Sequence, residues 1–168
     1  MFKKDLMKPG DILLFRVIPS SSLVSKFIGW SQRLFGRVPN GRGYCHVALV
    51  DLDTNLMLEA RWPKTRVSQI DLNELNKKYG VELYRVRNIT DNQIDQVIMW
   101  AHDHLDEWYD IPLFLTGFLD SKHAEVCSTF IAHAFRDVGL EIPVNNWHKK
   151  LVAPDDFYED TITLNRIA

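Results

Sequence analysis

Cysteine is scarce in this 168-residue chain: only Cys45 and Cys127 occur, too few for a disulfide framework to carry the fold. Charge of one sign is lacking as well. Twenty Lys+Arg stand against twenty-two Asp+Glu, a net charge of -2, so the basic excess that nucleic-acid binding calls for is missing and no nucleic-acid partner is expected. Apolar runs are short, as at Ile12–Phe15, against the roughly 20 residues a membrane-spanning helix needs. The N-terminus meets Pro9-Gly10-Asp11 before an apolar signal core develops, so no signal peptide is read and a reducing, cytoplasmic location is expected. Gly36, Gly41 and Gly43 match neither the P-loop nor the dinucleotide pattern, and no nucleotide cofactor follows. With no linker, repeat or charge block, residues 1–168 read as a single domain.

What is present is an ordered succession of strand and helix signals. Ile12 to Ile18 reads as a strand, and Ser20-Ser-Ser offers N-caps for a short helix with Leu23, Val24, Phe27, Ile28 and Leu34 on its apolar face. Residues 36 to 43 are loop. Tyr44 to Asp51 and Leu56 to Trp62 flank Asp53-Thr54-Asn55 as a hairpin, and a third strand covers Val81 to Arg87 after a helical piece at Leu72 to Lys78. Thr90-Asp-Asn-Gln93 has capping-box spacing ahead of Ile94, Val97, Ile98, Ala101, Leu105 and Trp108 at helical period. Cys127 to Val138 is a second amphipathic helix, stopped at Gly139. Strands gathered in the first half and long helices in the second predict an α+β fold with a mostly antiparallel sheet.

Cys127 opens its helix, where free backbone N–H groups and the helix dipole favour a thiolate and could receive an oxyanion. With a basic partner such a site lowers a cysteine pKa from about 8.5 into roughly the 3.5 to 7.5 range. The other reading is a buried structural cysteine. His46 lies in Tyr44-Cys-His-Val-Ala-Leu-Val, where alternation puts Tyr44, His46, Ala48 and Val50 on one face and Cys45, Val47 and Leu49 on the other. If paired positions in the hairpin sum to 105, Glu59 sits opposite His46; a sum of 107 makes it the diagonal neighbour, and even sums place it on the wrong face. Glu59 would then orient the imidazole as the third member of a triad does, the alternative being a core histidine with Glu59 paired to Arg61. Cys45, mid-strand, reads as packing. His102 and His104 lie on different faces of their helix and read as solvated, with no metal-ligand set in the chain.

These residues fall in an order that resembles a known family. Lys8-Pro-Gly-Asp-Ile-Leu-Leu-Phe, Ser25-Lys-Phe-Ile-Gly-Trp, Cys45-His-Val-Ala-Leu-Val, Leu58-Glu-Ala and Val67, followed by Trp108-Tyr-Asp and Val126-Cys-Ser-Thr-Phe-Ile-Ala-His-Ala-Phe, resemble the circularly permuted NlpC/P60 proteins. These are papain-like cysteine hydrolases of the YiiX/YaeF type, related to the lecithin:retinol acyltransferases. The permutation accounts for a histidine that precedes the cysteine. The resemblance implies a papain-like fold, Cys127 as nucleophile, His46 as general base, Glu59 as orienting residue, and a Tyr109-Asp110 pair near the site. Tyr44 and Trp62, beside His46 and Glu59, are candidates to line the substrate pocket. One departure is that Val126, rather than an aromatic residue, precedes the cysteine.

The expected activity is hydrolysis of an amide or ester through an acyl-enzyme, with no metal or organic cofactor and with a small peptide, amide or acyl-lipid as substrate. Two other functions compete with it. One is a lipid acyltransferase or thioesterase in peripheral contact with a membrane, suggested by the apolar Leu23-to-Phe35 segment with Lys26 and Arg33. The other is a catalytically silent binding module that keeps the fold.

Overall fold

In the computed structural model, residues 4–23, 25, 26, 43–109, 124–144 and 152–168 are described. Their strands form one eight-stranded sheet in the order β7-β6-β4-β3-β2-β1-β5-β8. The strands are β1 (Ile12–Val17), β2 (Tyr44–Val50), β3 (Leu56–Arg61), β4 (Lys64–Gln69), β5 (Tyr79–Val86), β6 (Trp108–Tyr109), β7 (Ala124–Glu125) and β8 (Leu164–Arg166). Neighbours run antiparallel except β6 and β7. The helices are α1 (Leu72–Lys78), α2 (Asp91–Asp103), α3 (Cys127–Asp137) and α4 (Pro154–Glu159).

Two core clusters lie on the two faces of the central strands. Ile12 and Leu14 join Val47, Leu49, Leu58 and Ala60 beneath α2, α3 and α4, while Leu13 and Phe15 join Ala48, Val50, Met57 and Leu83 toward Met7, Ile70 and α1. Covered on both sides, β1 and β2 are near-continuous apolar runs instead of alternating ones, for the same reason that doubly covered strands elsewhere read that way.

Local signals account for the helix ends. The Thr90 hydroxyl accepts from the Gln93 amide at 3.3 Å while the Gln93 side chain accepts from the Thr90 amide at 3.1 Å, closing the expected capping box. At the end of α3, Gly139 has φ 79°, and Leu140 N–H donates to Phe135 O at 3.0 Å as Gly139 N–H donates to Arg136 O at 2.9 Å. That pair of bonds is a Schellman stop, and the positive φ is why a glycine sits there. Ser22 caps the short helix that begins at Leu23, its hydroxyl accepting from Ser25 N–H at 3.2 Å. Val24, Phe27, Ile28 and Leu34, expected on that helix's apolar face, lie outside the described residues, as does the expected loop up to residue 42.

Two expectations are corrected. Trp108 does not continue α2: the helix ends at Asp103, Asp106 takes φ 66°, and Trp108 stands 63% exposed in β6, paired with Lys64. Tyr44 and Cys45 exchange faces relative to strict alternation. The β1–β2 register runs Phe15↔His46 and then Arg16↔Tyr44, so Cys45 is the extra residue of a bulge. Tyr44 therefore packs with Val47 and Leu49, and Cys45 with Ala48 and Val50. β4, where no strand is read from the sequence, is a strand of mostly polar residues that joins β3 through the turn at Trp62 and Pro63 and pairs with it along its whole length.

Candidate active site

The β2–β3 register is Leu49↔Leu58 and Val50↔Met57, a sum of 107, so Glu59 is the diagonal neighbour of His46. Their side chains meet: His46 Nε2 lies 2.6 Å from Glu59 Oε2. The imidazole packs on Phe15, ring centroids 5.3 Å apart, and lies within electrostatic reach of the Cys127 side chain. Phe15 belongs to one core cluster and Cys127 to the other, so His46, next to the bulge at Cys45, connects the two layers.

Cys127 is the first residue of α3, ahead of the first helical bond, Phe130 N–H to Val126 O at 2.9 Å. Val126 at the N-cap has no side-chain acceptor. Thr129 supplies the cap from inside the helix, its hydroxyl oxygen accepting from Val126 N–H at 3.1 Å. The apolar face of α3, with Phe130, Ile131, Ala134 and Phe135 buried, holds the helix start against β2 and β3.

Electrostatics follow from these contacts. Burial opposes charge on His46, yet the negative charge and hydrogen bond of Cys127, together with Glu59, outweigh it and hold the imidazolium well above its ordinary range. Burial likewise opposes the Glu59 carboxylate, and the His46 hydrogen bond and charge, with help from Ser68 and Arg61, hold its pKa below the usual carboxylate range. Cys45 is the contrast: burial pushes its thiol up to about 12, and its Sγ donates to Phe15 O at 3.4 Å.

The other oxygen of Glu59 is held from β4. Oε1 accepts from Ser68 Oγ at 2.7 Å and from Arg66 Nε at 3.4 Å, with Arg61 Nη1 at 3.9 Å. Glu59 thus contacts both His46 and Arg61, the two partners that spacing offered as alternatives. No strand signal marks Ser68 and Arg66 in the sequence, because Lys64 to Gln69 carries only one strongly apolar residue, Val67.

The remaining candidates separate. Tyr44 does not line an open surface: it is fully enclosed, stacks on Tyr158 at 5.3 Å, and donates its hydroxyl to Glu82 Oε2 at 2.7 Å. Tyr84 donates to the same oxygen at 3.1 Å, and Arg166 Nε lies 3.3 Å from it. Burial pushes the Tyr44 hydroxyl pKa upward and that of Tyr84 to about 12. Trp62 stands 66% exposed at the end of β3. Tyr109, half-buried against the helix-side cluster, donates its amide to Pro63 O at 2.9 Å, which sets it beside the Trp62 turn. Asp110 lies outside the described residues, and so does the Leu23-to-Phe35 segment apart from Leu23, Ser25 and Lys26, with Leu23 84% exposed. His102 is not free in solvent: its Nε2 meets Asp51 at 3.1 Å, while His104 stacks on Trp100 at 3.7 Å.

Among the described residues, no three His, Cys, Asp or Glu side chains are placed to hold a metal ion, and no helix is long and apolar enough to cross a membrane. No curated protein matches the chain. Residues 7–164 match the family described as permuted papain-like amidase enzymes, YaeF/YiiX, C92. A match over nearly the whole chain, on a mixed α/β structure built around a large antiparallel sheet, places this protein in the permuted papain-like amidase family.

Proposed function

We propose that the protein is a thiol hydrolase that cleaves an amide or ester bond through an acyl-enzyme on Cys127. The observation that carries this reading is the place of His46 between a carboxylate and a thiol, 2.6 Å from Glu59 Oε2 and within electrostatic reach of the Cys127 side chain. Because Nε2 is engaged by Glu59, Nδ1 is the nitrogen left to serve the sulfur. Cys127 Sγ gives its proton to His46 and attacks the carbonyl carbon, and the C=O electron pair moves onto oxygen. The N–H groups at the start of α3, that of Cys127 first, stabilise this oxyanion. Collapse breaks the bond to the leaving amine or alcohol, which takes its proton from His46. His46 then accepts a proton from water as the water oxygen attacks the thioester, releasing the carboxylic acid and restoring the thiol. Glu59 holds the ring orientation and balances the imidazolium throughout. Every group in this sequence belongs to the chain, and the substrates it suits are small peptides, amides or acyl-lipids.

The test is intact-protein and peptide mass spectrometry after exposure to a panel of activated amides, esters and short peptides. An acyl adduct confined to Cys127, and absent from Cys127→Ser, supports the reading. Absence of an adduct across the panel, with both cysteines equally inert to iodoacetamide, overturns it in favour of a silent binding module.

A further inference from the structure

We propose that Ser68 is a positioning residue of this site: by donating to one oxygen of Glu59, its hydroxyl turns the other oxygen onto His46. The inference rests on the proposed role of His46 as the base, and it adds a fourth residue, on a third strand, to the three groups already considered.

A glutamate carboxylate rotates in a broad, roughly two-fold well about its last torsion, so the backbone alone does not decide which way its oxygens face. Glu59 is 1% exposed, and a buried carboxylate must have its lone pairs met by donors. One oxygen takes His46 Nε2 at 2.6 Å, and the only comparably short contact on the other among the described residues is Ser68 Oγ at 2.7 Å. Arg66 Nε at 3.4 Å and Arg61 Nη1 at 3.9 Å stand farther off, on side chains about half exposed. Their pull on that same oxygen is screened by solvent. A neutral donor fixed in the sheet holds it at shorter range without adding a competing charge.

The fold explains why the serine can reach. Ser68 pairs across β3–β4 with Met57, so it is the diagonal neighbour of Glu59 on one side as His46 is on the other. Residues 46, 59 and 68 therefore form a diagonal row across β2, β3 and β4. The titratable and charged groups facing this row among the described residues are the Cys127 thiol from α3, Arg61 on β3 and Arg66 on β4, with the Phe15 ring from β1 closing the His46 side.

The experiment uses full-length protein with Ser68→Ala, Ser68→Thr and Ser68→Val, Thr and Val being nearly equal in shape. Two readouts are taken: the NMR titration of the His46 ring, assigned by its loss in His46→Ala, and the rate of iodoacetamide modification at Cys127 against pH. Ser68→Ala and Ser68→Val should lower the His46 midpoint and slow modification at neutral pH by roughly tenfold, the scale of one hydrogen bond to a charged group. Ser68→Thr, which keeps the hydroxyl, should restore both. The proposal is overturned if Ala or Val variants titrate and react as the parent does, or if Thr behaves like Val, which would make side-chain volume the cause. Should Ser68→Ala fail to fold, the Thr and Val pair decides alone. If Cys127 of the parent protein reacts no faster than Cys45, the hydrolase reading has failed, while the His46 titration still reports whether Ser68 controls Glu59.

Discussion

His46 and Glu59 lie thirteen residues apart on adjacent strands, and their side chains meet at 2.6 Å because the hairpin pairs with a register sum of 107. A slip of one residue would carry Glu59 to the other face of the sheet and leave a buried histidine facing a thiol with no carboxylate behind it. The contact therefore depends on the Asp53-Thr54-Asn55 turn, where Asp53 Oδ1 accepts from the Asn55 amide at 2.9 Å and Leu56 N–H donates to Asp53 O at 2.8 Å.

Glu59→Gln keeps the shape and removes the charge. His46 loses its anionic partner, and Arg61 and Arg66 lose the carboxylate they flank. The ring midpoint should fall, and acylation of Cys127 should slow by roughly 10- to 100-fold, as expected for a lost hydrogen bond to a charged group of about 1.5–3 kcal/mol. NMR titration of the ring with single-turnover acylation checks both; an unchanged midpoint would separate Glu59 from the site.

The two cysteines should differ in reactivity although both are buried. Cys45, its thiol pushed up to about 12 and lodged at a bulge, should resist iodoacetamide at pH 7. Cys127, near His46 at a helix start, should react first, and His46→Ala should slow it. Peptide mapping after timed quenching reads the ratio directly.

Much of this arrangement was legible beforehand, for identifiable reasons. The capping residues around α2 and α3, the hairpin turn, and the narrow choice of odd registers are local rules written in a few residues each. What escaped notice depends on neighbours distant in the chain. A bulge at Cys45 leaves no mark in an apolar run, so Tyr44 was expected to face the site and instead lies in the core. Strand β4 is mostly polar, and a polar segment without apolar alternation does not announce itself as a strand. Helix α4 and strand β8, with six and three residues, are too short to show a period.

Stability should depend on pH through the same pair. Glu59 has a lowered pKa in the folded chain, so its contribution is complete above the ordinary carboxylate range and is lost as pH falls through the folded value. His46 has a raised one, so its contribution is complete below the ordinary imidazole value of about 6.5 and is lost as pH rises through the folded value. Melting temperature should thus be greatest between those limits, with an alkaline decline that His46→Ala reduces. A decline of equal size in both proteins would assign it to other groups.

Tyr44→Phe distinguishes a core role from a substrate contact. The hydroxyl donates at 2.7 Å to Glu82, a buried carboxylate that keeps Tyr84 and Arg166 as partners, so its removal should destabilise the fold by about 1–3 kcal/mol in urea unfolding. Because the ring is fully enclosed, KM toward whichever amide or ester acylates Cys127 should stay unchanged. Trp62→Ala should behave in the opposite way. Its side chain is 66% exposed, and surface substitutions of this kind usually shift stability by less than about 0.5 kcal/mol. If Trp62 contacts substrate, KM rises while unfolding is unaltered, and an unchanged KM would exclude the residue from the pocket. The pair of variants, measured by the same two methods, separates the residue that supports the site from the one that faces its substrate.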